Sequence, residues 1–99
     1  MKLYIDTSSN QQTVIRLGDK TLTQDSSVWR SQVVLPMVKE LLGDKDFKEI
    51  TEIEVNPGPG SFTGLRVGVA IANALGFALG VPVNGRNVGC LDVVEPVYD

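Results

Sequence analysis

Residues 56–68 read Asn56-Pro57-Gly58-Pro59-Gly60-Ser61-Phe62-Thr63-Gly64-Leu65-Arg66-Val67-Gly68, and this stretch decides the fold. Ile53 and Val55, just before it, predict a strand over residues 52–56 that Pro57 ends. After it, residues 64–80 are apolar except for Arg66 and Asn73, which predicts a long helix. A strand, a glycine-rich turn and a helix in succession predict an α/β fold.

The residues at the start of the chain predict three strands. Residues 2–6 alternate apolar and polar side chains, and residues 13–17 and 20–24 are β-branched or alternating runs. Gly18-Asp19 separates these two runs by the two residues of a tight hairpin turn. The sequence therefore predicts one strand followed by a hairpin.

A first helix is predicted over residues 33–42, where apolar residues recur at helical spacing and Gly43 offers a C-terminal stop. Pro36 leaves two alternatives open. It lies in the first turn, where its missing N–H does no harm, or it kinks a helix that begins near Arg30, at a cost of about 3 kcal/mol.

The remaining residues predict a short fifth strand over residues 81–83 and a possible last helix over residues 88–95. The element order is then βββαβαβ, with the last helix optional. Ninety-nine residues, 42% of them hydrophobic, are enough for one domain with a single core. We therefore expect one α/β domain over residues 1–99.

Composition excludes several functional classes. The chain has no histidine, so Ser-His-Asp triads, Cys-His dyads and histidine-containing zinc sites are ruled out. Its single cysteine, Cys90, cannot form an internal disulfide and reads as a small buried hydrophobe. A net charge of −3 argues against direct nucleic-acid binding and against anionic membrane surfaces. The N-terminus has too short an apolar run for a signal peptide, so we expect a cytoplasmic protein.

The second predicted helix is apolar on every side. Such a helix is normally buried on every side, yet the sheet of so small a domain covers only one face. Its partner is the first helix, a second domain or another chain, and a membrane span is disfavoured because Arg66, Asn73 and Pro82 interrupt it. As candidate interface residues we expect Val34, Val38, Leu41 and Leu42 on the first helix, with Leu65, Gly68, Val69, Ala72, Asn73 and Gly76 on the second.

The glycine-rich turn and the end of the first strand form a candidate phosphate or nucleotide site. Free N–H groups at the helix start can face an anion, and a carboxylate beside turn hydroxyls can hold a Mg²⁺ shell. The turn matches neither the Walker loop nor G-x-G-x-x-G, so a rigid turn and an Asx turn are the alternatives. The candidate residues are Asp6, Thr7, Ser8, Gly58, Gly60, Ser61 and Thr63.

These motifs together resemble the TsaB (YeaZ) family, the block from Asn56 to Gly68 above all, with Ile5-Asp6-Thr7-Ser8, Leu35-Pro36-Met37-Val38 and Gly80-Val81-Pro82-Val83. The resemblance covers only the amino-terminal lobe of a family with two such lobes, so the second lobe is absent. It implies an actin, sugar-kinase and Hsp70-like (ribonuclease H-like) lobe with a mixed five-stranded sheet.

The resemblance also implies a function. Family members are non-catalytic partners in making threonylcarbamoyladenosine on tRNA, associating with the catalytic subunit TsaD and the ATPase TsaE and forming homodimers through helices of this lobe. No protease activity and no metal site are expected, and no cofactor is required, although ATP or ADP with Mg²⁺ could bind at a site that a partner completes. The alternative is the nucleotide-binding half of an actin-like kinase or ATPase.

Overall fold

The computed structural model describes residues 1–9, 11–25, 30–60, 62–87 and 94–95. Its elements, in chain order, are β1 (Lys2–Asp6), β2 (Gln12–Leu17), β3 (Lys20–Asp25), α1 (Arg30–Leu42), a 3₁₀ turn (Phe47–Glu49), β4 (Glu52–Val55) and α2 (Phe62–Leu79). The predicted strands and helices up to residue 80 are confirmed, with small shifts at their ends.

The sheet is mixed and has the strand order β3-β2-β1-β4. β1 pairs antiparallel with β2 and parallel with β4, and β2 pairs antiparallel with β3. The predicted hairpin is confirmed, because Leu17 pairs with Lys20 across Gly18-Asp19 and Gly18 has a φ of 61°. A positive φ at the first turn residue suits the twist of a two-residue hairpin.

The five-stranded sheet is not found in the described residues, which form four strands. Val83 makes only an isolated parallel bridge with Ile53 and then pairs antiparallel with Arg86. The cause is the intervening Asn84-Gly85, with φ values of 50° and 77°, because two successive positive φ values reverse the chain in a tight turn. The predicted last helix, residues 88–95, lies outside the described residues except at its final two positions.

Both helices pack on one face of the sheet. That face contributes buried side chains from every strand but β3, among them Leu3, Ile5, Ile15 and Ile53, each at most 2% exposed. The opposite face carries Lys2, Tyr4, Arg16 and Glu54. On it Lys2 Nζ lies 2.5 Å from Glu54 Oε1, and the Arg16 guanidinium lies 5.3 Å from the centre of the Tyr4 ring.

The longer of the two alternatives for the first helix is correct. α1 begins at Arg30, so Pro36 lies inside it and not in its first turn. The predicted stop is confirmed, because Gly43 has a φ of 61° and its N–H donates to the Lys39 carbonyl at 3.1 Å. This is the left-handed helix end that glycine favours. In the described part of the chain, no helix is long and apolar enough to cross a membrane.

Candidate functional site

The glycine-rich turn packs directly on the chain that follows β1. The Thr7 hydroxyl donates to the Gly64 carbonyl at 2.5 Å, and a Cβ added at Gly68 would overlap this hydroxyl. A Cβ added at Gly60 would stand 2.6 Å from the Ser8 carbonyl oxygen. Gly60 in the turn and Gly68 in α2 therefore both permit close approach to the chain after β1, and at Gly68 this contact accounts for a glycine inside a helix.

Asp6 is the centre of a hydrogen-bond network at the carboxyl ends of β1 and β4. Its Oδ1 accepts from the Ser8 N–H at 2.9 Å, from the Ser8 hydroxyl at 2.6 Å and from Asn56 Nδ2 at 3.3 Å. Its Oδ2 accepts from the Tyr4 hydroxyl at 3.3 Å. These residues meet because β1 and β4 are parallel neighbours, whose carboxyl ends lie at the same edge.

Asn56 connects this network to the glycine-rich turn and was missed as a site residue by the sequence analysis. Its Nδ2 also donates to the Ser8 hydroxyl at 3.2 Å, and its Oδ1 accepts from the Gly58 N–H at 3.0 Å. The signal was present in the sequence, because an asparagine between a strand and Pro57 is a typical start of an Asx turn.

The network shifts the pKa values of two of its groups. Partial burial acts to raise the pKa of Asp6, but the hydrogen bonds from Ser8, Asn56 and Tyr4 outweigh it and hold that pKa below its ordinary value. Burial, followed by the nearby Asp6 charge, raises the pKa of the Tyr4 hydroxyl. Asp6 is therefore ionised and Tyr4 neutral at pH 7.

The structure brings together part of the predicted nucleotide site. Asp6, Ser8, Gly58 and Gly60 lie at one edge, whereas the Thr7 side chain is fully buried and turned toward Gly64. Thr63 is exposed in the first turn of α2, and Ser61 lies outside the described residues. No group of three or more His, Cys, Asp or Glu side chains that could hold a metal occurs in the described ranges. The bond from the Ser8 N–H to Asp6 Oδ1 is the hydrogen bond of an Asx turn.

A polar cavity of about 610 Å³ adjoins this network on the open face of the sheet. Tyr4, Glu54, Asn56 and Asn84 are among its lining residues. Asn84 also closes the edge of β4: its Oδ1 accepts from the Val55 N–H at 2.8 Å and its Nδ2 donates to the Val55 carbonyl at 2.9 Å. One side chain thus takes the place of the next residue of a fifth strand.

Most of the predicted interface residues are not on the surface. Val34, Val38, Leu42, Leu65, Val69 and Ala72 are at most 3% exposed, and Gly68 and Gly76 are buried with them. The prediction that these residues form a contact surface is therefore wrong, because they fill the chain's own core. Leu41 is partly buried against the same core.

Asn73, the polar exception in the middle of α2, has an internal role. Its Nδ2 donates to the Val94 carbonyl at 2.9 Å and its Oδ1 accepts from the Val94 N–H at 3.1 Å. Val94 is 5% exposed, so Asn73 fixes a core residue and satisfies its backbone. Both polar ends of the Asn73 amide are therefore used inside the chain and not in a contact with a partner.

After Arg66, the exposed positions of α2 hold small residues around one large one. Ala70, Ala74 and Ala78 are exposed, and the Phe77 side chain is 65% exposed. We call these four residues the outer face of α2. An exposed phenylalanine beside small residues is a local apolar surface to which another helix can pack closely. A second apolar surface, a cavity of about 620 Å³, lies beside Leu35, Pro36 and Phe47.

The chain is similar to proteins whose descriptions concern threonylcarbamoyladenosine on tRNA. A family model described as TsaD, tRNA N6-adenosine threonylcarbamoyltransferase, matches residues 25–87. The tRNA threonylcarbamoyladenosine biosynthesis protein TsaB of Bacillus subtilis is 31% identical over 98% of this chain and 49% of its own length. The protein of the same name from Haemophilus influenzae is 35% identical over 82% of this chain and 36% of its own length.

The solved structure of YeaZ from Pseudomonas aeruginosa superimposes with a TM-score of 0.70 and 30% identity. The match covers 83% of this chain and 41% of that one. The chain thus spans about half the length, or less, of the relatives that it matches.

Proposed function

Because the chain belongs to the TsaB (YeaZ) family, we propose that it is a non-catalytic partner protein in the biosynthesis of threonylcarbamoyladenosine on tRNA. The observation that carries this proposal is the alignment with a TsaB protein over 98% of the chain. The Asp6 network supports the non-catalytic part, because its carboxylate oxygens accept hydrogen bonds from the chain's own Ser8, Asn56 and Tyr4. Such a protein works in the cytoplasm.

The outer face of α2 is the surface that this proposal assigns to association. Phe77 is 65% exposed, and the neighbouring alanines allow a facing helix to approach without steric conflict. The partners are a second copy of this chain and a TsaD-like catalytic subunit, with a TsaE-like ATPase as a further member of the assembly. A net charge of −3 supports the view that the catalytic subunit, and not this chain, holds the RNA.

The same proposal treats the fold as one lobe of the actin, sugar-kinase and Hsp70-like superfold. The strand order β3-β2-β1-β4 supports it, and so does the isolated parallel bridge between Ile53 and Val83, because it lies on the side of β4 where a fifth strand would pair. Residues 1–99 then form a single lobe.

The experiment compares how strongly the original chain and a variant of the outer face associate with their partners. Light scattering during gel filtration is recorded for the chain alone and mixed with a TsaD-type subunit, using the original chain and Ala74→Arg. We expect complexes with the original chain and a weakening of at least about tenfold in the variant, because a buried unpaired charge is costly at an interface.

Thr23→Arg is the matched control, since it adds the same charge at an exposed position of β3. It should associate like the original chain. A chain that stays monomeric and ignores the TsaD-type subunit would contradict the proposal, and equal weakening by both variants would remove the outer face from it.

A second candidate function, the nucleotide-binding half of an actin-like kinase or ATPase, is favoured by one observation. Asp6, Ser8, Asn56 and the Gly58 N–H converge at the edge where β1, β4 and the start of α2 meet. Calorimetry with ATP and Mg²⁺ tests it, with Asp6→Asn as the variant that keeps the side-chain shape. Binding heat that the original chain shows and Asp6→Asn lacks would support this candidate. The absence of binding heat from the original chain at millimolar nucleotide would exclude it.

A further inference from the structure

We propose that Asn84 is a deamidation site that its own hydrogen bonds to Val55 hold in check, and that the reaction, once it has occurred, permanently opens the edge of β4 at Val55. The proposal rests on the coincidence of a reactive Asn-Gly dipeptide, an exposed tight turn and a side-chain amide that substitutes for strand pairing. It is independent of the proposed function.

The dipeptide is chemically suited to the reaction. Asn84 is exposed and is followed by Gly85, which has no side chain to shield its backbone nitrogen from the asparagine amide carbon. It is the only Asn-Gly pair in the sequence, since Asn10, Asn56, Asn73 and Asn87 precede Gln11, Pro57, Ala74 and Val88. Asparagine is among the thermally labile residues of proteins.

The fold restrains this amide from both ends. Oδ1 accepts from the Val55 N–H at 2.8 Å and Nδ2 donates to the Val55 carbonyl at 2.9 Å. The turn itself is closed by hydrogen bonds between Val83 and Arg86 at 3.0 and 2.8 Å. The amide must leave Val55 before its carbon can meet the Gly85 nitrogen, so the reaction rate follows local opening of this edge.

The reaction needs only water as co-reactant. The Gly85 backbone nitrogen loses its proton to solvent base and bonds to Asn84 Cγ. The Cγ–Nδ2 bond breaks, and Nδ2 takes up one solvent proton and leaves as ammonia, which gives a cyclic succinimide. Water then adds to one of the two ring carbonyls and breaks its bond to the ring nitrogen, which yields aspartate or isoaspartate.

The product cannot restore the original contacts. A carboxylate has no N–H to donate, so one of its oxygens would face the Val55 carbonyl oxygen at the position where Nδ2 now lies 2.9 Å away. Asn56 follows Val55 directly and donates to Asp6 and Ser8. Loss of the restraint at Val55 therefore loosens the edge on which the Asp6 network is built.

The test follows deamidation of the full 99-residue chain at pH 8.5 and 37 °C in buffer and in denaturing urea, by peptide mass spectrometry. We expect a gain of about 1 Da at Asn84, at least about tenfold faster in urea than in buffer. Equal rates in the two solvents, or faster reaction at another asparagine of the unfolded chain, would overturn the proposal.

The structural consequence is tested with Asn84→Asp and Asn84→Gly in hydrogen exchange at the Val55 amide. Asn84→Gly preserves a turn that needs positive φ and removes both reactive amide and carboxylate, so it is the matched control. We expect exchange at Val55 to rise in both variants, because both lose the bond from Nδ2 to the Val55 carbonyl, and no mass gain at residue 84 in Asn84→Gly. Unchanged exchange in Asn84→Asp would overturn the claim that the product opens the edge.

Discussion

Gly68 sets how closely α2 approaches the end of β1. The Thr7 side chain is fully buried, donates to the Gly64 carbonyl and occupies the space where a Cβ at Gly68 would lie. Because Thr7 is held by this bond, it cannot move aside at low cost. The absence of one methyl group at residue 68 thus lets the helix start and the loop after β1 meet, and places Asp6 beside the glycine-rich turn.

Replacing Gly68 by alanine should therefore destabilise the fold. Alanine has the better helix propensity by about 1 kcal/mol, but overlap with Thr7 should outweigh it and lower the free energy of unfolding by about 1–3 kcal/mol. Urea denaturation measures this. Thr7→Ala/Gly68→Ala completes a double-mutant cycle, in which removal of the overlap should make the double variant more stable than the sum of the single effects. Strict additivity would contradict this explanation.

The Asp6 network should make stability depend on pH. Since the folded pKa of Asp6 is lowered, its contribution is present above its unfolded pKa of about 3.9 and is lost as pH falls through the folded value. We expect Asp6→Asn to lower the free energy of unfolding at pH 7 by about 1 kcal/mol, and the difference from the original chain to shrink toward pH 2. A difference that stays constant from pH 7 to 2 would show that the Asp6 charge makes no contribution.

At the scale of elements, α1 and α2 each contain residues that a helix tolerates poorly, for different reasons. In α2 the glycines permit contact with the loop after β1, as at Gly68. In α1, Pro36 lies on the exposed side of a helix that runs from Arg30 to Leu42. Because proline has no backbone N–H, it cannot donate the helical hydrogen bond expected at that position.

Pro36→Ala should therefore stabilise the chain. The new N–H completes the hydrogen-bond ladder of α1, and we expect a gain of about 1–3 kcal/mol in the free energy of unfolding. Thermal denaturation measures it, with Lys39→Ala, another exposed position of α1, as a control that should change stability by less than about 0.5 kcal/mol. A loss of stability in Pro36→Ala would mean that the proline ring packs favourably beside Leu35 and Phe47.

The same two helices show what their sequence could and could not predict. The helical spacing of apolar residues predicted both helices, and Gly43 predicted the end of α1. It could not orient α2, because both its row of Gly68, Ala72 and Gly76 and its row of Ala70, Ala74 and Ala78 are small. Only contacts distant in sequence, such as that of Thr7 with Gly68, decide which row is buried, and the interface residues were therefore placed on the wrong side.

At the scale of the whole molecule, the sheet presents one covered and one open face. The register of β1 with β2 and β4 puts Leu3 and Ile5 under the helices and Tyr4 beside Arg16 and Glu54 on the other side. The alternation of apolar and polar residues predicted strand β1, and the glycine-rich block from Asn56 to Gly68 predicted the family of the chain. The predicted fifth strand is reduced to one bridge at Val83 because the Asn84-Gly85 turn reverses the chain directly after the apolar run.

The central claim is that the outer face of α2 is where this chain meets its partner. Hydroxyl-radical footprinting of the Phe77 side chain, with and without a TsaD-type subunit, tests it most directly at a concentration where the chain alone is monomeric, because Phe77 is 65% exposed in the single chain. Oxidation of Phe77 should fall at least about threefold in the complex, while oxidation of Tyr4 on the open face of the sheet stays the same. Unchanged oxidation of Phe77 in a mixture that forms the complex would contradict the claim.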